Sequence, residues 1–382
     1  ANGAFDNSVA QRVRNTARES IVRGTLGFQP IAGLTFETGL EAAYNSLDAG
    51  LELSEDLGAG PRPIPLPSAN VLIEEDRAEA FARSVYRPAA GWTWEAALAW
   101  ETSTISQSGD TAASRTLSFW KPSIQVTQDF GDKNQWRMRL YRDVGQLDFG
   151  DFASSADLND QRVAAGNPNL EPFTEWRLET AVDLRFGDTG ALSLTAFASQ
   201  ISDVNDSVPI VTSTDIFDAP GNIGDGEIYG LEVTATIPVD AILPGGKIEI
   251  EGQIARSEVI DPITRRARSF SGFSDAYFDA ELRQDIPAWS MAWGLEYEGE
   301  SEFERFRLSE RETYVEGPFL SAFVETTALP VKVRLLAHNL TDTSFRRERH
   351  FFAPTRADDP SFSELRKRHF GRFLVLELSG KF

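Results

Sequence analysis

The chain has 382 residues, a formal net charge of −21 from 37 Lys and Arg against 58 Asp and Glu, no Cys, two Met and three His. The acidic balance argues against a nucleic-acid binder, which needs a basic footprint, and the missing Cys removes disulfide frameworks and thiolate metal sites. His338, His350 and His369 are too few and scattered for a metal cluster, and no apolar run approaches the ~20 residues of a membrane-spanning helix. Length alone suits two or three soluble domains, but a single β-barrel can use the whole chain. The start at Ala1 reads as processed or truncated.

Period-two alternation predicts about fifteen strands, with almost no helical period between them. The first clear strand runs from Arg18 to Phe28. Leu34, Phe36, Leu40, Ala42 and Tyr44 then share a face, with Glu37 and Glu41 opposite. A long Gly- and Pro-rich loop is expected from Asp48 to Pro67, then a weaker strand from Asn70 to Arg87. Trp92, Trp94, Ala96, Leu98 and Trp100 line the next strand, and a polar connection leads to Leu117–Phe130. Trp136, Met138 and Leu140 follow, then a long loop from Gly150 to Phe173. Trp176 to Phe186 and Leu192 to Ala198 form a hairpin through Gly187-Asp188-Thr189-Gly190. A third long loop covers Ser202 to Asp225. Strands follow around Tyr229–Ile237, Ile248–Ile254, Ala276–Leu282, Met291–Tyr297, Phe319–Thr327 and Val331–Ala337. A last loop from Thr343 to Lys367 precedes the C-terminal strand. There Leu374, Leu376, Leu378, Gly380 and Phe382 alternate with Val375, Glu377, Ser379 and Lys381.

Each strand carries one apolar face and one face with charges of both signs. Short turns alternate with long loops, and Trp residues cluster near turn ends. This is the layout of an all-β transmembrane antiparallel barrel, apolar toward lipid and polar toward a lumen. A soluble sandwich would need the apolar faces to meet across a core. A strand set that starts and ends inward has odd parity, so it does not close alone with both ends on one side of the membrane.

Three segments carry a family resemblance. Gly166-Asn167-Pro168-Asn169-Leu170-Glu171-Pro172, Asn222-Ile223-Gly224-Asp225-Gly226-Glu227-Ile228-Tyr229-Gly230-Leu231-Glu232, and Ala337-His338-Asn339-Leu340-Thr341-Asp342 followed by Gly371-Arg372 resemble, in order and spacing, the barrels of TonB-dependent outer-membrane receptors. The resemblance covers Thr16 to Phe382 and implies one barrel region over 1–382, a C-terminal portion of a 22-stranded barrel. The plug domain and TonB box would lie in a missing N-terminal portion, of the same precursor or a second chain. It implies nutrient uptake across a Gram-negative outer membrane, of a siderophore, cobalamin or carbohydrate. TonB would be engaged only through the missing portion, and lipid and lipopolysaccharide would surround the barrel.

Candidate ligand residues in the surface loops are Phe149, Phe152, Asn167, Asn169, Phe217, Arg346, Arg347, Arg349, His350 and Phe351. Turn geometry is the competing reading of the Gly-Asn-Pro-Asn segment, and a salt-bridged strand extension that of Arg346–Phe352. Arg137, Arg139, Arg177, Arg185, Glu249, Glu251, Arg283 and Arg334 are expected in the lumen, facing a plug or pairing across strands. Leu376, Leu378 and Phe382 form the barrel's C-terminal signal. Asp148, Asp151, Asp157 and Asp160 lack the spacing of a calcium loop and read as solvated carboxylates. No catalytic motif is present, and neither an enzyme activity nor a cofactor is expected. The alternatives are a self-contained porin-like channel of about sixteen strands, or an outer-membrane scaffold.

Overall fold

The computed structural model describes residues 8–158, 160, 162–212 and 215–380; Phe382, one of the three C-terminal signal residues, lies outside them. A single seventeen-stranded sheet dominates, and two of its members are two-residue pieces, Arg62–Pro63 and Ala267–Arg268. The remaining fifteen make the wall. In chain order they are β1 (Ser8–Ile31), β2 (Leu34–Asp56), β3 (Asn70–Tyr86), β4 (Trp92–Gly109), β5 (Ala113–Phe130), β6 (Asn134–Val144), β7 (Thr174–Phe186), β8 (Gly190–Ser202), β9 (Gly226–Pro238), β10 (Gly246–Ile260), β11 (Ala276–Ile286), β12 (Met291–Glu298), β13 (Phe319–Thr326), β14 (Lys332–His338) and β15 (Phe373–Ser379). Each pairs antiparallel with the next. Among the described residues β1 and β15 do not pair with each other, so the wall has two edges.

Pairing register sorts the side chains into rows across the wall. One row runs Trp94, Val126, Met138, Thr180, Ala196, Leu231, Ile254. A neighbouring row on the other face runs Gln125, Arg139, Glu179, Phe197, Gly230. Leu40, Leu98, Trp120, Leu194, Leu231, Ile254 and Leu335 are all exposed, while Glu41, Glu101, Lys121, Arg177 and Glu325 are half-buried or buried. A water-soluble fold places these groups the other way round. Trp94, Trp136, Trp289 and Trp293 sit within a few residues of the short turns at one rim, as in an aromatic belt at a bilayer interface.

Three sequence expectations change. The loop expected from Asp48 is strand up to Asp56, and β4 and β5 run on to Gly109 and from Ala113 through the expected polar connection. Loops and turns therefore do not alternate strictly as long and short. At Gly109 φ is +111° and a Cβ would lie 2.3 Å from the Asn70 carbonyl oxygen, so only glycine fits this close hairpin. The physical reason for the first two misses is that the apolar stripe changes face part-way up. Below Asn45 the outward residues of β2 are apolar (Leu40, Ala42, Tyr44). Above it the inward ones are: Leu47, Ala49, Leu51 and Leu53 join Val71, Ile73 and Ile105 in cores beneath the loops. The third change is that the loops at this end are built from strands of their own. Ser155–Asp157, Arg162–Ala164, Asn205–Val211 and Ile216–Asn222 form one sheet. Ser301–Phe306, Glu310–Glu316, Ser344–Phe352 and Pro360–His369 form another.

A charge on the outward face meets hydrocarbon if this wall sits in a bilayer. Leu231→Arg should cost about 2–4 kcal/mol of folding free energy, read by denaturant titration of the receptor folded into bilayers. Thr234→Arg, on the inward face opposite Glu251, should cost much less; equal costs would contradict the assigned faces.

Candidate functional site

The inward face of β1–β5 is polar because its rows pair acids with acids. Glu41, Glu79 and Glu101 lie directly opposite one another across β2, β3 and β4, which alone would be repulsive. Two cations bridge the row diagonally. Arg77 reaches Glu41 at 3.2 Å and Glu101 at 3.9 Å, and Lys121 reaches Glu101 at 2.9 Å and also Glu79. One turn of the pleat higher, Glu75 accepts from Ser103 Oγ at 2.6 Å and from Asn45 Nδ2 at 2.9 Å. Above these groups opens a cavity of about 800 Å³, roofed by Val144–Phe149 and Pro172 and walled by Leu117 and Phe119. It combines hydrogen-bonding groups below with apolar side chains at its side, the mixture that small-molecule sites show. Sequence reading missed Arg77 and Lys121. The alternation Glu75, Arg77, Glu79 on one face of a strand was the available signal.

The loop assembly is fastened by buried ions. Asp160 accepts from both terminal nitrogens of Arg347, at 2.9 and 2.7 Å. Arg347 also pairs with Glu312, which is fully buried and accepts from the Tyr314 hydroxyl at 2.8 Å. Arg162 reaches Glu310 at 2.6 Å and Glu312 at 3.2 Å, and Arg349 pairs with Glu310 and, at 3.3 Å, Glu364. The Arg347 bonds hold the Asp160 carboxyl down at about 2. Burial pushes Glu310 up, but bonds from Arg349 and Arg162 outweigh it and hold the carboxyl below its usual range. A second clamp centres on Asp261. Burial opposes its charge, but Arg356 at 2.7 Å, the Thr264 N–H and Arg268 at 2.6 Å hold it well below the usual range. Arg268 continues to Asp206 at 2.8 Å, joining three loops.

The predicted loop residues fall into this framework unevenly. Phe149 lines the large cavity. Phe152 is only 1% exposed, packed with Ile73 and Leu170. Asn167 Nδ2 donates to the Pro220 carbonyl at 2.8 Å, and Asn169 offers its carbonyl to Arg115 at 3.0 Å. Phe217 packs on the Leu51, Leu53 and Leu66 cluster. Arg347 and Arg349 are committed to the ion network, while Arg346 is exposed. His350 Nδ1 lies 2.7 Å from Ser363 Oγ, and Phe351 stacks on Phe362 at 4.3 Å. The motifs behind the resemblance are staples. Asn222 accepts from the Glu171 N–H and donates to its carbonyl, tying the first motif to the second. Asn339, at φ 56°, bonds Thr343 and Gly371.

The expected lumen charges are mostly paired within the wall. Arg177 reaches Glu179 at 2.6 Å and lies over Phe197; Arg139 lies over Tyr141. Arg283 reaches Glu325 at 2.5 Å, Arg334 pairs with Glu296, and Glu249 with Lys247 at 2.8 Å. Glu251 accepts from Tyr277 at 3.3 Å, Arg137 is half-buried, and Arg185 is exposed beside its turn. Leu376 and Leu378 are exposed on β15. Of the loop carboxylates, Asp148 accepts from the Gly150 N–H and Asp157 from the Asp160 N–H. Asp160 serves Arg347. Among the described residues no acid or His group of three or more is placed to hold a metal.

Two outcomes follow from these electrostatics. Glu312→Ala leaves the buried Arg347 Nε without its acceptor while Asp160 keeps the terminal nitrogens, and should cost about 1–3 kcal/mol, seen as faster amide exchange in Ser155–Asp157 and Arg162–Ala164 with the wall unchanged. Burial, reinforced by Asp148, pushes Asp151 up to about 6. A raised acid binds protons more tightly folded than unfolded, so its penalty is absent below about pH 4 and complete above about 6. Asp151→Asn should therefore stabilise this loop at pH 7.5, and the gain should vanish at pH 4 by the same exchange measurement.

The chain matches the family described as TonB dependent receptor-like, beta-barrel over residues 2–320. No curated protein matches it in sequence. Among solved structures it is similar to the copper transporter OprC, with 12% identity, a TM-score of 0.69, and coverage of 98% of this chain and 58% of that one. The ferric citrate transporter FecA in its unliganded form shares 13% identity at a TM-score of 0.68, with 99% and 56% covered. The ferric yersiniabactin uptake receptor FyuA from Yersinia pestis shares 12% at 0.65, with 98% and 56% covered. These likenesses are in fold, and the chain spans a little over half the length of each. A meander wall, apolar outward and charged inward, together with a family match over most of its length, identifies the chain as belonging to the TonB-dependent receptor β-barrel family, a family of receptors and transporters rather than enzymes.

Proposed function

We propose that this chain is the C-terminal part of the barrel of a TonB-dependent transporter that takes up a scarce nutrient across the outer membrane of a Gram-negative bacterium. The observation that carries this is the cavity of about 800 Å³ between a charged inner wall and a loop roof. It lies where a ligand captured at the outer rim would enter the lumen. That similar folds carry names for copper, ferric citrate and ferric yersiniabactin supports counting metal ions and their chelates among the candidate cargo classes, beside cobalamin and carbohydrates. In this reading a preceding portion supplies the remaining strands of a 22-stranded barrel and a plug. The plug would meet the inward face that bears Arg139, Arg177, Glu249, Glu251 and Arg334, and would carry the contact to TonB. Lipid and lipopolysaccharide would cover the apolar band. That β1 and β15 do not pair with each other among the described residues favours this reading over a self-contained porin-like channel, because a free edge inside hydrocarbon leaves backbone groups unsatisfied.

Deleting the receptor gene should abolish growth on one limiting nutrient from a panel of ferric chelates, copper, haem, cobalamin and oligosaccharides. Loss of TonB should reproduce the defect, and the full-length gene should repair it. Uptake that persists without TonB, with steady open conductance of the purified protein in planar bilayers, would instead establish a passive channel.

A further inference from the structure

We infer that the pocket between the two loop sheets binds an oxyanion carried on a flat apolar ring, of which an aromatic carboxylate is the simplest case. The inference deepens the uptake reading, on which it rests, by naming the chemistry of the cargo's recognised face.

The pocket measures about 520 Å³ and is bounded by Arg162, Asp218, Arg307, Ser309, Phe351 and Phe362 among others. That volume suits a small organic ligand. Most charges around it are already spent. Arg162 and Arg349 share Glu310, and Arg349 and Arg366 share Glu364. Arg366 also lies 3.5 Å from Asp160. Arg307 differs. Its guanidinium makes no ion pair among the described residues, and its Nε is buried without a hydrogen-bond partner. The Nε of Arg162, which also lines the pocket, is buried and unpartnered as well. Both groups are donors only; with each Nε shielded, a ligand would meet Arg307 through its terminal nitrogens, which have no hydrogen-bond partner among the described residues. Asp218 does not fill the need: among the described residues it makes no ion pair with Arg307, and its Oδ1 accepts instead from the Leu308 N–H at 2.7 Å and the Ser207 hydroxyl at 2.8 Å.

The apolar half of the recognition comes from Phe351 and Phe362. Their rings stack 4.3 Å apart and 15° from parallel. The guanidinium of Arg349 lies over Phe351, 4.6 Å from its centroid. Phe362 remains 59% exposed. A planar ring laid on Phe362 would cover this apolar surface and could carry its oxyanion toward Arg307. A bare inorganic anion would use the guanidinium but leave the aromatic face wet. A neutral aromatic would do the reverse.

Binding to the purified full-length receptor in detergent tests this, with benzoate, inorganic phosphate and benzyl alcohol as probes, followed by saturation-transfer NMR. Benzoate should bind more tightly than either single-feature probe. Arg307→Gln should weaken benzoate at least tenfold while the barrel keeps its heat-modifiable migration, and Arg307→Lys should restore part of the loss. Phe362→Ala should weaken benzoate but leave phosphate unchanged. No benzoate binding, or equal binding to wild type and Arg307→Gln, would overturn the inference and leave water as the occupant. The readout is independent of TonB. Benzoate binding that persists alongside TonB-independent uptake would remove the transporter reading alone, and the reverse pattern would remove the pocket alone.

Discussion

The pairing of backbone groups between neighbouring strands of the wall is the constraint on which the rest depends. A sheet that faces hydrocarbon has no water to satisfy a stray N–H or carbonyl, so each strand must be bonded along its length to the next. The meander of neighbouring antiparallel strands meets this demand with the shortest connections. Once the ladder is set, alternation does the remaining sorting. Leu231 and Ile254 face outward because Glu232 and Gln253 face inward, and no strand can slip by one residue without exposing charge to lipid.

That sorting moves the electrostatic difficulty to the inside. The inner rows bring carboxylates directly opposite each other, as at Glu41, Glu79 and Glu101. Arg77 and Lys121 relieve the repulsion by lying diagonally between them. The cavity above these residues therefore inherits a fixed, well-anchored polar floor rather than free charges. The loops solve a similar problem by another route: Asp160, Glu310 and Glu312 bind Arg162, Arg347 and Arg349 in a shared network that joins two separate loop sheets. Buried pairs of this kind add little net stability but are costly to break.

Much of the fold was legible because a lipid-facing strand is a simple pattern. Wall strands from Asn70 onward were readable within a few residues where an apolar outward face persists, as in Trp176–Phe186 and Gly226–Pro238. The reading failed where the pattern inverted. In β2 the stripe passes from Tyr44 on one face to Leu47 on the other, because above that level the core lies inside, beneath the loops. A sequence window sees this as lost periodicity and reports a loop. The loop strands were harder to read for a related reason: Ser344–Phe352, which the sequence offered as a salt-bridged strand extension beside a ligand loop, is rich in Arg and Glu, and its buried face is an ion network rather than an apolar one.

The sequence by itself determined the class of the protein, since strand periodicity, aromatic placement and three ordered motifs are local properties of the chain. It also singled out Arg347, Arg349 and Phe351, but not what each does. Only the tertiary structure decided that two of these arginines are consumed by Glu312, Asp160 and Glu310, while Arg307, which nothing local distinguishes, makes no ion pair among the described residues and lines a pocket. Partner choice among charges depends on which loops meet across the barrel mouth. Asp160 and Arg347 are 187 positions apart, and no pattern along the chain encodes a distance through space.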